Sequence, residues 1–365
     1  MAGHARADPD RGGRVDDRRT DMRIDSTARP WPFSAVLLTT ALVFFAVAAA
    51  FFAAIGQSPL KVMTDLVLFA AGDGFSREET LLKAAPILLC ALAAAIPGRL
   101  GLISVGAEGQ LHLGAIFGTA MVLSMPGAPA MILLPATLMA AACGGAFWGA
   151  IPGWLRGRLA VNETITTLVM NYIGVLMVNA LVFGPWRDPV NLGWPATARF
   201  PDAVDLPVLP GTRLHLGLML GALLALACAL AFSRGIRAER VRILAMNRKV
   251  GETFGLSFPR HAVVLMALGG AVAGLAGIGE AIAIQGRLQP GLSLGYGLTG
   301  FLVAWLCGHR FLPILLVSIL IGGLLAAGDA LQLYAKVPAS SAVILQGLLF
   351  VTVLAVPGLL QRRTA

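Results

Sequence analysis

The sequence contains little charge. Asp, Glu, Lys and Arg make up 13% of its 365 residues, against roughly 25% in soluble globular domains. Hydrophobic residues account for 57%, and the mean hydropathy is +0.79. Apolar stretches of roughly 18–25 residues, each able to cross a hydrocarbon core about 30 Å thick, recur along the chain. The composition excludes an ordinary soluble domain and predicts an all-α, polytopic membrane protein.

Motifs that bind nucleotides or activate nucleophiles are also missing. None of the four lysines follows a glycine, so there is no GxxxxGK[ST] phosphate loop, and neither HExxH nor GxSxG occurs. The cysteines stand singly in apolar stretches, without CxxC or Cys/His spacing: Cys90, Cys143, Cys228 and Cys307. We interpret them as small buried side chains. The sequence therefore predicts no catalytic centre, no metal site and no cofactor held by this chain.

Uninterrupted apolar windows predict ten transmembrane helices. They lie near residues 33–55, 80–97, 101–124, 127–150, 163–184, 214–233, 262–284, 296–308, 311–328 and 340–359. The window at 296–308 is too short to cross upright, so we expect a partial crossing or a re-entrant unit with the next helix. The predicted domains are an unstructured cytoplasmic tail, 1–30, with Met22 as an alternative start, and one transmembrane domain, 31–365.

Basic residues favour one side of this topology. They concentrate before residue 30, in the 234–261 loop and at the C-terminus, with a few in other loops on the same side. Only eight lie on the opposite side: Lys61, Arg77, Lys83, Arg187, Arg199, Arg213, Arg287 and Lys336. The positive-inside rule then places both termini in the cytoplasm. Topology thus explains the pI of about 10.1 without a nucleic-acid partner.

Few carboxylates lie at membrane depth, where they are functional by default. Glu163 begins a predicted helix, so we expect Asn162 to cap that helix and the acid to complement its dipole. Glu280 and Asp329 fall near outer ends of spans, which favours a solvated or gate position over a proton relay. The pattern leaves little support for coupling to an ion gradient.

Polar residues interrupt the apolar segment GLISVGAEGQLHLGA at residues 101–115, which contains Glu108, Gln110 and His112. Two interpretations stay open: helix packing around a hydrogen-bonded carboxylate, or an element that lines a pathway. Asn171 lies inside an apolar span, where an unpaired amide is costly, so it must have a partner.

Glycines mark two further segments. In the seventh span, Gly270 and Gly274 lie four apart with Gly277 beside them, which predicts close helix packing. The segment GYGLTG beginning at Gly295 contains Tyr296, and either a bend that packs helices or a flexible lining segment fits it.

The loop at 234–261 is the longest predicted cytoplasmic stretch between spans and has a helical pattern around residues 241–250. A short helix there could dock into a groove of a partner, or lie on anionic lipid.

Three segments together resemble the permease subunits of ABC importers for simple sugars and nucleosides, of the branched-chain amino acid/ribose permease superfamily. They are GLISVGAEGQLHLGA, VNETITTLVMNYIG and AGLAGIGEAIAIQGRLQPGLSLGYGLTGFLVAWL. The resemblance runs from about residue 80 to 335 in the same order and is strongest to the nucleoside branch.

The resemblance implies a permease of the bacterial inner membrane that moves nucleosides or a related small polar solute. Its implied partners are a cytoplasmic ABC ATPase subunit that holds ATP and Mg, a second permease subunit, which we expect to form a heterodimer, and an external solute-binding protein. Residues 245–255 match the place of the ATPase-coupling loop, although Met246, Lys249 and Glu252 partly replace its usual small residues.

The candidate residues follow from this resemblance and from the polar positions above. For the substrate pathway they are Glu108, Gln110, Asn171 and Tyr296, and for ATPase coupling they are Ala245, Asn247, Glu252 and Gly255. A ribose-like sugar permease is the alternative substrate class. A gradient-driven transporter or a membrane scaffold is less well supported, and a membrane enzyme least of all.

Overall fold

The structure is a computed structural model that describes residues 33–190, 193–335, 337–338 and 340–362. Thirteen α-helices occupy most of these residues, so the predicted all-α class is confirmed. They are α1 (Phe33–Ala54), α2 (Pro59–Ala71), α3 (Gly74–Gly98), α4 (Ala107–Ser124), α5 (Ala130–Leu159), α6 (Glu163–Phe183), α7 (Gly217–Ser233), α8 (Ile236–Met246), α9 (Arg248–Thr253), α10 (Phe258–Glu280), α11 (Tyr296–Leu306), α12 (Phe311–Ala335) and α13 (Ser340–Arg362). The predicted tail lies outside the described residues.

Five of the described helices are long and apolar enough to cross a membrane: α3, α5, α6, α10 with its π-helical extension, and α12. Two bent pairs, α1 with α2 and α7 with α8, raise this number to seven if each is one span. The predicted count of ten is therefore not confirmed by length and composition. The short eighth window does form a short helix, α11, of 11 residues.

Helix α3 lies at the centre of the bundle. From Ala84 to Pro97 its side chains are buried without interruption. It packs against α10, α11 and α12, while α4 and α10 pack on α5. This stretch of α3 has no charged side chain, and a helix that is apolar on all sides is buried inside a protein or a membrane.

Glycines let α5 and α10 pack backbone against backbone. A methyl group added to Gly145 would meet the carbonyl oxygen of Gly270, and one added to Gly274 would meet that of Ala141. The predicted packing role of Gly270, Gly274 and Gly277 is confirmed. The matching residues on α5 recur every four positions from Gly145 to Gly157, a spacing that places them on one face.

Several helices differ from the prediction; α5, for example, continues to Leu159 rather than ending near residue 150. The fourth element begins at Ala107, because residues 101–106 are not helical. The predicted helix around 241–250 is two helices, α8 and α9, separated at Asn247, whose side chain accepts from Val250 N at 3.2 Å and so starts a new helix. Helix α2 was not predicted. Cys90 and Cys307 are buried as predicted, whereas Cys228 is half-buried and Cys143 is exposed, so the prediction was wrong for Cys143 and only partly right for Cys228.

The described part of the segment between α6 and α7 contains one short 3₁₀ turn, Asp202–Val204, and an isolated antiparallel bridge between Val208 and His215. Thr197 ties this segment to the chain after α10: its N–H donates to the Leu288 carbonyl at 2.9 Å, and its hydroxyl accepts from Leu288 N at 3.0 Å. The connection is thus fixed against the end of the bundle at which α10 finishes.

Candidate functional site

One face of α6 supports the non-helical segment that precedes α4. Glu163 Oε1 accepts from Ile103 N at 3.3 Å, and Thr167 Oγ1 accepts from Val105 N at 3.3 Å. Asn171 Oδ1 accepts from Gly109 N at 2.8 Å, while its Nδ2 donates to the Val105 carbonyl at 2.9 Å. Residues four apart lie on one helix face, so α6 supplies in order the partners that this irregular backbone needs inside the bundle.

Asn162 caps α6 as predicted, because its Oδ1 accepts from Thr164 N at 2.9 Å and from Ile165 N at 3.4 Å. Glu163 sits in the first turn of the helix, but its carboxylate reaches outside it. Besides Ile103, it pairs with Arg156 Nε on α5 at 3.1 Å. It therefore joins three parts of the chain, in addition to the predicted effect on the dipole.

Glu108 accepts a hydrogen bond from the first turn of α11, as Asn171 does from the first turn of α4. Its Oε2 accepts from Gly297 N at 2.7 Å, in the first turn of α11. Ser293 Oγ accepts from Tyr296 N at 3.1 Å in the same turn. A carboxylate at a helix N-terminus satisfies free N–H groups and complements the dipole. The side chains of α6 and α4 thus cap the starts of α4 and α11 respectively.

The four residues predicted for the pathway come together around this turn of α4. Glu108, Gln110, Asn171 and Tyr296 are all buried, at 2–8% exposure. His112 is buried beside them, and its Nδ1–H donates to the Glu108 carbonyl at 2.7 Å. Asn171 has partners, as predicted. Through their bonds to backbone groups, Glu108 and Asn171 support the buried polar cluster around the first turn of α4. Contact with a solute stays a prediction for all four residues.

Glu280 is the last residue of α10, near the end of a span as predicted, but it is 8% exposed, so the predicted solvated position is wrong. A gate position for Glu280 stays a prediction. Of the buried carboxylates in the described chain, Glu108 and Glu163 have bonded partners, whereas no partner for Glu280 is found among the described residues. It lines a cavity of about 540 Å³ between α3, α5, α7 and α10, together with His215. The π-helical turn Ala281–Gln285 follows directly. Asp329 is exposed and pairs with Lys83 at 2.6 Å.

The predicted coupling residues lie on the α8–α9 segment and just after it. Ala245, Asn247, Glu252 and Gly255 are all exposed. The segment is nevertheless ordered by its own packing: Val241 and Leu244 are buried, and a methyl group on Gly251 would collide with the Leu244 side chain. Glu252 pairs with Arg248 Nε at 2.8 Å.

Large apolar residues lie between these coupling residues in the sequence. Met246 is 79% exposed, Phe254 is 75% exposed and Val250 is also exposed. We call these three residues the apolar patch. Large exposed apolar residues on one short ordered element are typical of a protein-binding surface.

Comparison with known proteins decides the family. The family described as the permease component of the branched-chain amino acid transport system matches residues 76–354. This range contains the buried polar residues around α4 and the α8–α9 segment. The chain belongs to this permease family. The resemblance seen in the sequence is therefore confirmed, and the protein is a multi-pass membrane permease, a transport component.

Similar permeases differ in the solute that their names state. The glucose ABC transporter permease protein TsgB13 of Haloferax volcanii is 31% identical over 88% of this chain and 87% of its own length. The guanosine ABC transporter permease protein NupP of Bacillus subtilis is 31% identical over 69% and 73%. The nucleoside ABC transporter permease protein NupB of Lactococcus lactis is 28% identical over 77% and 80%.

Proposed function

We propose that this permease is the membrane subunit of an ATP-driven importer for nucleosides or a related small polar solute, with ATP hydrolysis in partner chains. The observation that carries the proposal is the exposed α8–α9 segment. Its apolar patch faces outward, while Val241 and Leu244 are buried and order the segment. An ATPase that bound there could bias the permease between two states, since a partner shifts such an equilibrium only by binding one state better. The further proposed partners are a solute-binding protein and a second permease subunit.

The orientation is part of the proposal. We place the α8–α9 segment and both termini in the cytoplasm of a bacterial cell with the permease in the inner membrane, because the basic loops lie at that end. Reporter fusions test this placement. A C-terminal fluorescent protein should be bright and a C-terminal alkaline phosphatase inactive; the reverse pattern would refute the orientation.

Substrate identity is tested by uptake. Cells with and without the permease are given labelled guanosine, uridine, ribose or glucose, each with unlabelled competitors. Loss of nucleoside uptake alone supports the proposal. A simple sugar is the second candidate, because the similarity to the Haloferax protein covers most of the chain. Loss of sugar uptake alone would transfer the permease to that class.

Coupling is tested at the apolar patch. Phe254→Gln removes an exposed apolar side chain, so we expect folding to be retained while solute-stimulated ATP hydrolysis and uptake fall together. Leu159→Gln is the matched control: Leu159 is 59% exposed and belongs to the end of α5 that packs beside Pro259, at the start of α10. Equal effects of the two variants, or none from Phe254→Gln, would argue against docking at the patch.

A further inference from the structure

A second cavity lies between α7, α8 and the start of α10, with a volume of about 600 Å³. Gly235, at φ +102°, lies between α7 and α8, and its conformation allows the axes of the two helices to differ by 75°. Helix α8 therefore runs across the end of α7, and the two helices with α10 enclose a corner. If α7 crosses the bilayer, α8 lies close to the plane of its surface.

Positive charge lines this corner without a matching negative charge. Arg237 and Arg240 on α8 and Arg260 on α10 all line the cavity, and so does His261. No ion pair of the three arginines is found among the described residues. Neither acid of the α8–α9 segment lines the cavity: Glu239 lies 3.9 Å from Arg242, and Glu252 pairs with Arg248 at 2.8 Å. Gathering like charges costs free energy unless an anion is present.

The start of α10 adds to the positive potential. Gly255 and Ser257 line the cavity beside the first turn of this 23-residue helix. Ser257 Oγ accepts from Arg260 N at 3.4 Å, which satisfies one of the free N–H groups in the first turn of α10. The N-terminus of a helix carries a partial positive charge and favours phosphate. The arginines of α8 and α10 and the N-terminus of α10 thus all bring positive charge to the same cavity.

Apolar side chains form the other wall. Phe232 ends the apolar run of α7, and Val264 and Leu268 continue the wall along α10. Val264 and Leu268 are 48% and 50% exposed. They lie roughly 10 Å and 16 Å along the axis from Ser257 at 1.5 Å per residue. A ligand that fills the cavity therefore meets cations at one end and an apolar surface, at acyl-chain depth, at the other.

We propose that this cavity binds an anionic phospholipid, with its phosphate among Arg237, Arg240 and Arg260 and its acyl chains along α7 and α10. An acidic segment of a soluble partner would satisfy the arginines but would have to enter the hydrocarbon to cover Val264 and Leu268. A lipid satisfies both ends at once. The site adjoins the α8–α9 segment, so the lipid holds the base of that segment against α10.

The test measures lipid binding by the full-length permease purified in detergent. Phosphatidylglycerol and phosphatidylcholine are titrated, and retained lipid is counted by native mass spectrometry. The cavity variant Arg237→Gln/Arg240→Gln/Arg260→Gln is compared with Arg158→Gln/Arg234→Gln/Arg310→Gln. Both sets of arginines are exposed, and the control removes the same charge from three that do not line the cavity.

We expect phosphatidylglycerol, but not phosphatidylcholine, to bind the permease and the control variant alike. In the cavity variant its affinity should fall about 100-fold, at roughly 1 kcal/mol per arginine near a membrane surface. Equal losses in both variants would mean attraction by net charge and would overturn the proposal. Displacement by equimolar glycerol 3-phosphate or inorganic phosphate would reassign the site to a soluble phosphate.

A third outcome separates the lipid from a protein partner. If the cavity variant kept its phosphatidylglycerol but lost solute-stimulated ATP hydrolysis, the arginines would serve the ATPase, and the proposal would be wrong. Because lipid retention is read out without transport, failure of the proposed substrate or coupling role would leave this test unchanged.

Discussion

The carboxylate of Glu108 and the backbone N–H of Gly297 are joined at 2.7 Å, across 189 positions of sequence. Gly297 also lets the two helices meet, since a methyl group there would collide with the backbone of Glu108. Together they attach the start of α11 to the first turn of α4. The short helix α11 begins inside the bundle because another helix supplies its cap.

Removing the Glu108 cap should destabilise the permease. Glu108→Leu leaves Gly297 N without an acceptor in a buried site, and we expect the free energy of unfolding to fall by about 2–3 kcal/mol. Glu108→Gln keeps an acceptor oxygen, and so should lose only about half as much. Detergent melting curves measure both. Asp329→Asn, at an exposed pair, should change stability by less than about 1 kcal/mol; a larger loss there than in Glu108→Leu would contradict the assignment.

Asn171 should be more sensitive than its position in an apolar helix suggests. Asn171→Leu leaves Gly109 N and the Val105 carbonyl unpaired, which we expect to cost about 2–6 kcal/mol at roughly 1–3 kcal/mol per buried group. Melting temperature and expression level measure the loss. Tyr172→Phe, at the next residue and 74% exposed, is the control. A tolerated Asn171→Leu would show that water or a rearranged α6 replaces the amide.

Two glycines of α10 should respond in opposite ways to the same substitution. Gly274→Ala places a methyl group against the Ala141 carbonyl, so we expect a loss of about 1–3 kcal/mol from overpacking. Gly279→Ala has no atom within 4 Å of the added carbon and should be neutral or gain roughly 0.5–1 kcal/mol from helix propensity. Paired melting curves measure the difference. Equal melting temperatures would mean that α5 and α10 are not in close contact.

His215 should make stability depend on pH. It accepts from Gly217 N at 3.0 Å through Nδ1, and burial lowers the pKa of its imidazole below the ordinary 6.5. As pH falls below about 6.5, the unfolded chain binds the proton before the folded chain does, so the free energy of unfolding decreases. Melting curves between pH 7.5 and 5 measure this decrease, to which His215 contributes at most about one proton.

His215→Asn keeps an acceptor without titrating in this range, so it should flatten the pH profile. His309 contributes in the same direction, because burial and then Arg99 lower the pKa of its imidazole. His309→Asn should therefore flatten the profile further, and asparagine suits its φ of +57°. An unchanged profile in the double variant would exclude both histidines as its cause.

Local sequence patterns were enough to predict a contact where a residue and its partner are close in sequence. Asn162 was predicted to cap α6 because its side chain reaches N–H groups two and three residues away. The glycine spacing on α10 likewise predicted its packing face. Glycines on α5 every four residues could have identified the opposite face by the same rule. The predicted solvated position of Glu280 was wrong because its burial depends on α3, α5 and α7, which local sequence does not position.

The sequence by itself determined that the chain lies in a membrane, that it is built from helices and that it resembles an importer permease, because apolar length and ordered motifs are properties of the linear chain. Tertiary structure alone decided that Asn171 reaches Gly109, 62 residues away, and that Glu108 reaches Gly297. It also decided that three arginines and an apolar wall from separate helices enclose one cavity. The physical reason is that a buried polar group takes whichever partner the packing of helices brings to it, and helix packing is set by the whole bundle.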